Sequence, residues 1–341
     1  MATSHSQIFK TLSSEDITST RTLLHENVPI TGTIVSGALY AGGNIKNYSH
    51  GMFQSVYDYP YLSSSANHLF DLTCGYQSGT VGSFDMNSQK QNIYAQMAQV
   101  LVGHDATGAI RPFDQDGDLS GGPKIESAYF LNMSRLLTKD EIKKGTFSLS
   151  LGTGSLAGNE FDFLKEITDS GADTSYKVNS PAGEYGLLYT SSAGPSYGDP
   201  VGLLYYQAGI AVLTASVFGA ATEMQTGQTA QDQFQDDPIS SSADAFRHRF
   251  DNLTFNNTIE LNSTIYFCNA NHNEFNYSSN PTYLSESKIR VKSEAIDSPS
   301  SYITTVGMYS AKNELLATAK LSEPLKKDPA TSLTLRVRLD Y

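Results

Sequence analysis

Residues 302–321 read YITTVGMYSAKNELLATAKL, and residues 331–341 read TSLTLRVRLDY. In the first stretch ITTVGMY and ELLATAKL flank SAKN, a connection whose length suits a β-hairpin. In the second, Leu333, Leu335, Val337 and Leu339 share one face, with Arg336, Arg338 and Asp340 on the other. That is the period of two that a half-buried strand requires. TIELNSTIYFC repeats it with Ile259, Leu261, Ile265 and Phe267, and Pro324 and Pro329 bracket the crossing to the last strand. Residues 256–341 are therefore expected to form an antiparallel β unit.

The same grammar extends upstream. GEYGLLYT, VGLLYY and IAVLTASVF read as central strands, the last two turning at QAG. The uncharged stretch Pro200 to Thr222 approaches the length of a membrane span, but Gly202, Gln207, Gly209, Thr214 and Ser216 dilute it, so no span is expected. Phe147, Leu149 and Leu151 alternate with Ser148 and Ser150 in another strand. A capping box of Thr138 and Glu141, closed by Gly145, predicts a short helix just before it. NSQKQNIYAQMAQVLVG predicts a helix near 89–102, capped by Ser88, with Ile93, Met97, Val100 and Leu101 inward and Gly103 as a left-handed stop. Ser13 and Asp16 predict a further capping box and a short N-terminal helix. Residues 152–180 read as polar and turn-rich, and the Gln/Asp/Ser-rich stretch 222–242 reads as a surface loop before a short helix in SSSADAFRHRF.

The expected fold is mainly β (α+β): an antiparallel, β-sandwich-like body with a few short capped helices and a C-terminal β unit. The expected segments are an arm at 1–26, a β-rich body at 27–222, a polar loop and short helix at 223–255, and the β unit at 256–341. No internal repeat of fixed period is found.

Of 341 residues only 17 % are charged, and the net charge is −12. That balance repels phosphate backbones, and no Lys/Arg run interleaves with aromatics, so direct nucleic-acid binding is not expected. Cys74 and Cys268 lack metal or redox spacing and read as buried thiols of a reducing compartment. The first residues lack a signal-peptide pattern, so cytoplasmic synthesis is expected.

FDQDGDLSGG is the sharpest candidate for chemistry. Asp114, Asp116 and Asp118 place three carboxylates at alternate positions of a Gly-rich turn, the pattern of a calcium loop. As an EF-hand loop it departs twice: Leu119 stands where Gly is expected, and Ile125 at the twelfth position, with Glu126 one residue late. A solvated acidic turn is the competing reading, and no other cofactor is expected. GPSYG (194–198) satisfies G-x-S-x-G, but Pro200 and strand-like residues follow Ser196 where a nucleophile elbow needs a helix, so a loop is expected. GTGSLAG (152–158) spaces its glycines wrongly for a dinucleotide fingerprint. His248, His272, Asp236 and Asp237 lack the partners that catalysis requires, and no catalytic residue is assigned.

ITTVGMYSAKNELLATAKLSEPLKK resembles a hairpin of tail-fibre and baseplate-associated proteins of tailed bacteriophages. RTLLHENVPITGTI, GMFQSVYDYPYLSSSANHLFDLTCGY, LLTKDEIKKGTFSLSLG, VGLLYYQAGIAVLTAS and NANHNEFNYSSNPTYL extend the likeness to virion structural proteins of large contractile-tailed phages. The resemblance implies a non-enzymatic tail or baseplate subunit, assembled in the host cytoplasm into the virion, with other virion proteins and copies of itself as partners. Alternatives are a capsid or neck position, or a receptor-binding module whose Tyr-rich surface stacks on host glycans.

Overall fold

The computed structural model describes residues 9–31, 43–77, 87–157, 160–190, 200–219, 237–276 and 300–341, the short pieces 223–225, 228–229, 284–285 and 288–289, and Phe234 and Ser278. In chain order the strands are β1 (Ile17–Thr31), β2 (Ile45–Asn47), β3 (Gln54–Tyr57), β4 (His68–Tyr76), β5 (Phe113–Asp114), β6 (Lys124–Ile125), β7 (Ser127–Met133), β8 (Glu141–Ile142), β9 (Ser148–Ala157), β10 (Glu160–Thr168) and β11 (Lys177–Ser180). They continue as β12 (Gly183–Thr190), β13 (Gly202–Tyr205), β14 (Ile210–Thr214), β15 (Glu223–Gln225), β16 (Gln228–Thr229), β17 (Phe250–Ala270), β18 (Leu284–Ser285), β19 (Lys288–Ile289), β20 (Ser301–Tyr309), β21 (Leu315–Lys327) and β22 (Leu333–Asp340). The α-helices whose bounds lie among the described residues are α1 (Asn87–Leu101), α2 (Arg135–Thr138), α3 (Ala172–Ser175) and α4 (Ile239–His248). The protein is mainly β and antiparallel, as expected.

Two compact units divide the chain: Leu24–Ile259, and Met1–Leu23 together with Glu260–Tyr341. Most of the 1–26 arm thus groups with the C-terminal segment. The stretches 27–222 and 223–255 fall within one unit.

In the unit Leu24–Ile259 the strand order is β17–β9–β10–β12–β13–β14–β7–β4–β3–β2, with β17 entering through its first residues. Central strands carry continuous apolar runs because both faces are covered. Gly202–Tyr205 and Ile210–Thr214 pair residue for residue around the QAG turn, where Gly209 takes φ 68°. On β7 the alternation is direct: Tyr129 packs on Phe246 of α4 at 4.9 Å, whereas Phe130 packs toward Tyr94 of α1 at 6.4 Å. The helices therefore cover opposite faces of the sheet. Gly75 of β4 admits α1, because a Cβ there would lie 2.6 Å from the Lys90 carbonyl oxygen and 2.9 Å from the Tyr94 nitrogen.

Several local expectations are corrected. Ser13 and Asp16 do form their capping box, but around a 3₁₀ turn, Ser14–Asp16, after which β1 begins. ITSTRT is rich in β-branched residues, and strand pairing wins over weak helix propensity. Helix α1 lies where expected, but Ser88 falls inside it and Val100 is 65 % exposed; Lys90, Tyr94 and Ala98 join Ile93 and Leu101 on the buried side. The helix expected between Thr138 and Gly145 lies earlier, at Arg135–Thr138, because Glu141 and Ile142 pair with Thr258 and Asn257. Residues 152–180, read as turns, contain much of the β9–β10 hairpin.

In the unit containing the C-terminal segment, Ser263–Ala270 of β17 pairs with β22 from Asp340 back to Leu333. The hairpin is confirmed: β20 and β21 pair from Tyr309↔Leu315 back to Ser301↔Lys327, and Asn313 at φ 61° makes the turn. Pro324 lies within β21, in an irregular stretch between the Ile303↔Leu325 and Thr305↔Lys320 pairs, instead of beyond the strand. The expected apolar face of β17 is not buried: Leu261 is 40 % exposed, whereas Ser263 and Thr264 are buried.

Candidate functional site

Strands β5 and β6 bring the acidic loop together through the pairs Phe113↔Ile125 and Asp114↔Lys124. One carboxylate oxygen from each of Asp114, Asp116 and Asp118 lies within 4.8 Å of the others. The turn needs left-handed backbone at Gly117 (φ 70°) and Gly122 (φ 68°), and a Cβ on Gly122 would come within 2.7 Å of Asp116 Oδ2. Leu119 adopts φ 58° where a calcium loop would carry glycine, and its N–H donates to Asp114 Oδ2 at 2.5 Å. Asp116 Oδ1 accepts from the Asp118 N–H at 3.2 Å, and Asp118 Oδ1 from the Ser120 N–H at 2.7 Å.

A cation already occupies the mouth of this loop. Lys124 Nζ donates to Asp114 Oδ1 at 2.7 Å, to the Ser120 carbonyl at 3.3 Å, and to the Gly121 carbonyl. Asp114 is 2 % exposed, and burial raises its carboxyl above the ordinary value against the lowering effect of Lys124. Asp118, on the rim, is held below that value, chiefly by the Ser120 N–H. Beneath the loop Tyr185 donates to Asn179 Oδ1 at 2.7 Å, and burial with the three nearby carboxylates pushes its phenol up to about 12. The recess between these groups, bounded by Leu101, Leu203 and Tyr205, is filled by its own side chains.

The arrangement is a loop closed by an internal ion pair. Lys124→Met would leave a buried carboxylate without its ammonium, and we expect it to cost about 2–3 kcal/mol in urea denaturation. Added calcium must displace Lys124 to reach Asp114, so millimolar calcium is expected to leave the thermal midpoint of the unaltered protein unchanged.

The other candidates are scattered. Ser196 and Asp236 lie outside the described residues, as does Gly158 of the Gly152–Gly158 stretch, whose described part continues β9. His248 ends α4, where burial and Arg247 hold its imidazole below the ordinary value. Cys74 is fully buried, and burial pushes its thiol up to about 11, which disfavours the reactive thiolate; Cys268 is half-buried, and neither forms a disulfide. Among the described residues no helix is long and apolar enough to cross a membrane.

No family model, curated protein or solved structure matches the chain.

A feature that sequence patterning concealed is the distribution of the core. Among the described residues, the buried apolar side chains of the unit containing Glu260–Tyr341 are Ala270 and Val337, and the contiguous hydrophobic cluster lies wholly within Leu24–Ile259. Among the described residues the β20–β21 hairpin pairs only with itself, and it exposes Tyr302 (54 %), Tyr309 (47 %), Leu315 (55 %) and Leu316 (68 %). A Cβ on Gly307 would meet Tyr309 Cε2 at 3.0 Å and Leu315 Cδ1 at 3.6 Å, so these two side chains lie over the glycine. Polar contacts hold the hairpin's base. Lys327 is fully buried, its Nζ donating to Asn276 Oδ1 at 2.7 Å, to the Asp328 carbonyl at 2.9 Å and to the His272 carbonyl at 3.3 Å.

Proposed function

We propose that this protein is a non-enzymatic structural or adaptor subunit of a tailed-phage virion, working in the tail or baseplate in several copies through contacts with its own kind and with other virion proteins. The observation that carries this reading is that, among the described residues, the C-terminal unit buries only Ala270 and Val337 as apolar side chains. A two-stranded hairpin is marginal by itself in water, and ordering residues costs about 1–2 kcal/mol each in backbone entropy, which apolar burial must offset. Here Leu315, Leu316, Tyr302 and Tyr309 remain in solvent, so the missing burial is assigned to neighbouring subunits. The resemblance of residues 303–327 to tail-fibre and baseplate hairpins supports the same assignment.

The test is mass spectrometry of purified particles together with imaging of tagged protein in them. The expected result is multiple copies in the tail or baseplate. Recovery only outside particles, or turnover of a small molecule by the purified chain, would end the proposal. A Leu315→Lys/Leu316→Lys double variant is expected to keep its urea midpoint, corresponding to a change within about 0.5 kcal/mol, because both side chains are already exposed. The same variant is expected to lose incorporation into particles. Normal incorporation would remove the hairpin from the interface.

A further inference from the structure

On β2, β3 and β4 the sheet face that receives α1 at Gly75 continues past the helix. Register places Lys46 opposite Ser55, Ser55 opposite Asp71, and Asp71 opposite Asn132 of β7, a polar row across four strands. Aromatic rings flank it. Tyr48 stacks on His50 with centroids 5.2 Å apart and planes 6° apart, and Phe53 closes the group at 4.7 Å from Tyr48. On the other side, Tyr57 lies 5.4 Å from the His68 ring and 6.2 Å from Tyr61.

The row and the rings form one connected strip. Tyr48 OH and Ser55 Oγ are 3.2 Å apart, Ser55 donates to Asp71 Oδ1 at 2.5 Å, and His68 Nε2 lies 2.9 Å from the same oxygen. His50 Nδ1 accepts the Met52 N–H at 3.1 Å, which leaves Nε2 of this exposed ring as a donor toward solvent. Asp58 grips Asn67 through the main-chain N–H at 2.6 Å and the side-chain amide at 2.7 Å. The His68 and Asp71 side chains are 33 % and 26 % exposed, so they meet solvent while held in place.

We propose that this strip is a binding surface for a neutral saccharide. A pyranose offers an apolar C–H face to an aromatic ring and a rim of hydroxyls to carboxylates, imidazoles and amides, and the strip alternates those two chemistries within a few ångströms. Its polar groups are already fixed by one another, which reduces the ordering cost of binding. Asp58 and Asp71 outnumber Lys46, whose ammonium lies 4.8 Å from the Tyr48 ring centroid, and in a chain of net charge −12 they disfavour uronic and sialic acids and nucleic-acid phosphates. This inference rests on the unit Leu24–Ile259 and does not depend on the chain's place in a virion.

The full chain would be applied to an array of defined neutral and acidic oligosaccharides, and the best neutral hit titrated by calorimetry. Retention of neutral glycans is expected. His50→Ala and Asp71→Asn should each weaken the hit about tenfold, the value of one aromatic or hydrogen-bonded contact, while Val178→Ala, at an exposed position of β11, leaves it unchanged. Circular dichroism of each variant separates lost binding from lost fold, and His50, being exposed, is the variant least able to unfold the protein. Three results would overturn the assignment: no neutral glycan retained, only acidic glycans retained, or affinity that survives both His50→Ala and Asp71→Asn. Capture of a protein on this face, abolished by His50→Ala, would replace it.

Discussion

Asp169→Ala is expected to lower stability by about 3–5 kcal/mol, read as a shift of the urea midpoint at constant slope. Asp169 is 1 % exposed and accepts three hydrogen bonds: from the Gly145 N–H at 2.7 Å, the Phe147 N–H at 3.0 Å and the Tyr206 hydroxyl at 3.0 Å. These donors fix the turn that launches β9 and tie it to the residue following β13. Alanine strands all three, and a buried donor without a partner costs about 1–3 kcal/mol. A loss below about 1 kcal/mol would mean that water reaches the site and satisfies them.

The same residue predicts a pH dependence. Burial raises the Asp169 carboxyl above its ordinary 3.8, outweighing the hydrogen bonds that lower it. The folded protein therefore keeps this proton to higher pH than the unfolded chain does. The stability it contributes is full below about pH 4 and is lost as pH rises through the folded-state value. Asp169→Asn removes that slope, so the stability of the unaltered protein relative to this variant should fall as pH rises; a relative gain would contradict the assignment. Asp71 works in the opposite sense. The His68 and Ser55 hydrogen bonds overcome the raising effect of burial and lower its carboxyl, so its contribution is present above about pH 4 and fades as pH falls through the folded-state value.

Gly75→Ala should be a severely damaging single-methyl change, costing about 3 kcal/mol, the upper end for overpacking. A Cβ at Gly75 would meet the Lys90 oxygen at 2.6 Å, the Tyr94 nitrogen at 2.9 Å and Tyr94 Cβ at 3.1 Å. Two of these atoms are helix backbone, so no rotamer change relieves the clash and α1 must lift from β4. Gly43→Ala is the control: its Cβ would find only Pro60 Cγ at 4.0 Å, and an effect within about 0.5 kcal/mol is expected. Equal effects at the two positions would show that the helix yields without loss.

The central strands were legible because their apolar runs are continuous and bounded by turn residues, and helix α1 because its signal spans four turns. The short elements were less so. Arg135–Thr138 and Ser14–Asp16 each hold too few residues for periodicity, and their capping residues mark a turn without saying how far a helix extends beyond it. For the acidic loop, the three aspartates at alternate positions did converge. Lys124, ten residues from Asp114, escaped notice because its place beside that carboxylate comes from the β5–β6 pairing, which two-residue strands do not announce.

From its own composition and periodicity the sequence determined that this chain builds antiparallel strands, where the central ones run, and that its C-terminal segment carries a hairpin. Alternation reports which residues share a face. It cannot report whether anything covers that face, because coverage depends on elements distant along the chain. Only the tertiary structure decided that Leu315 and Leu316 stay in solvent, that Gly75 carries a helix against its backbone, and that His50, His68 and Asp71 reach solvent along one strip joined through the buried Ser55.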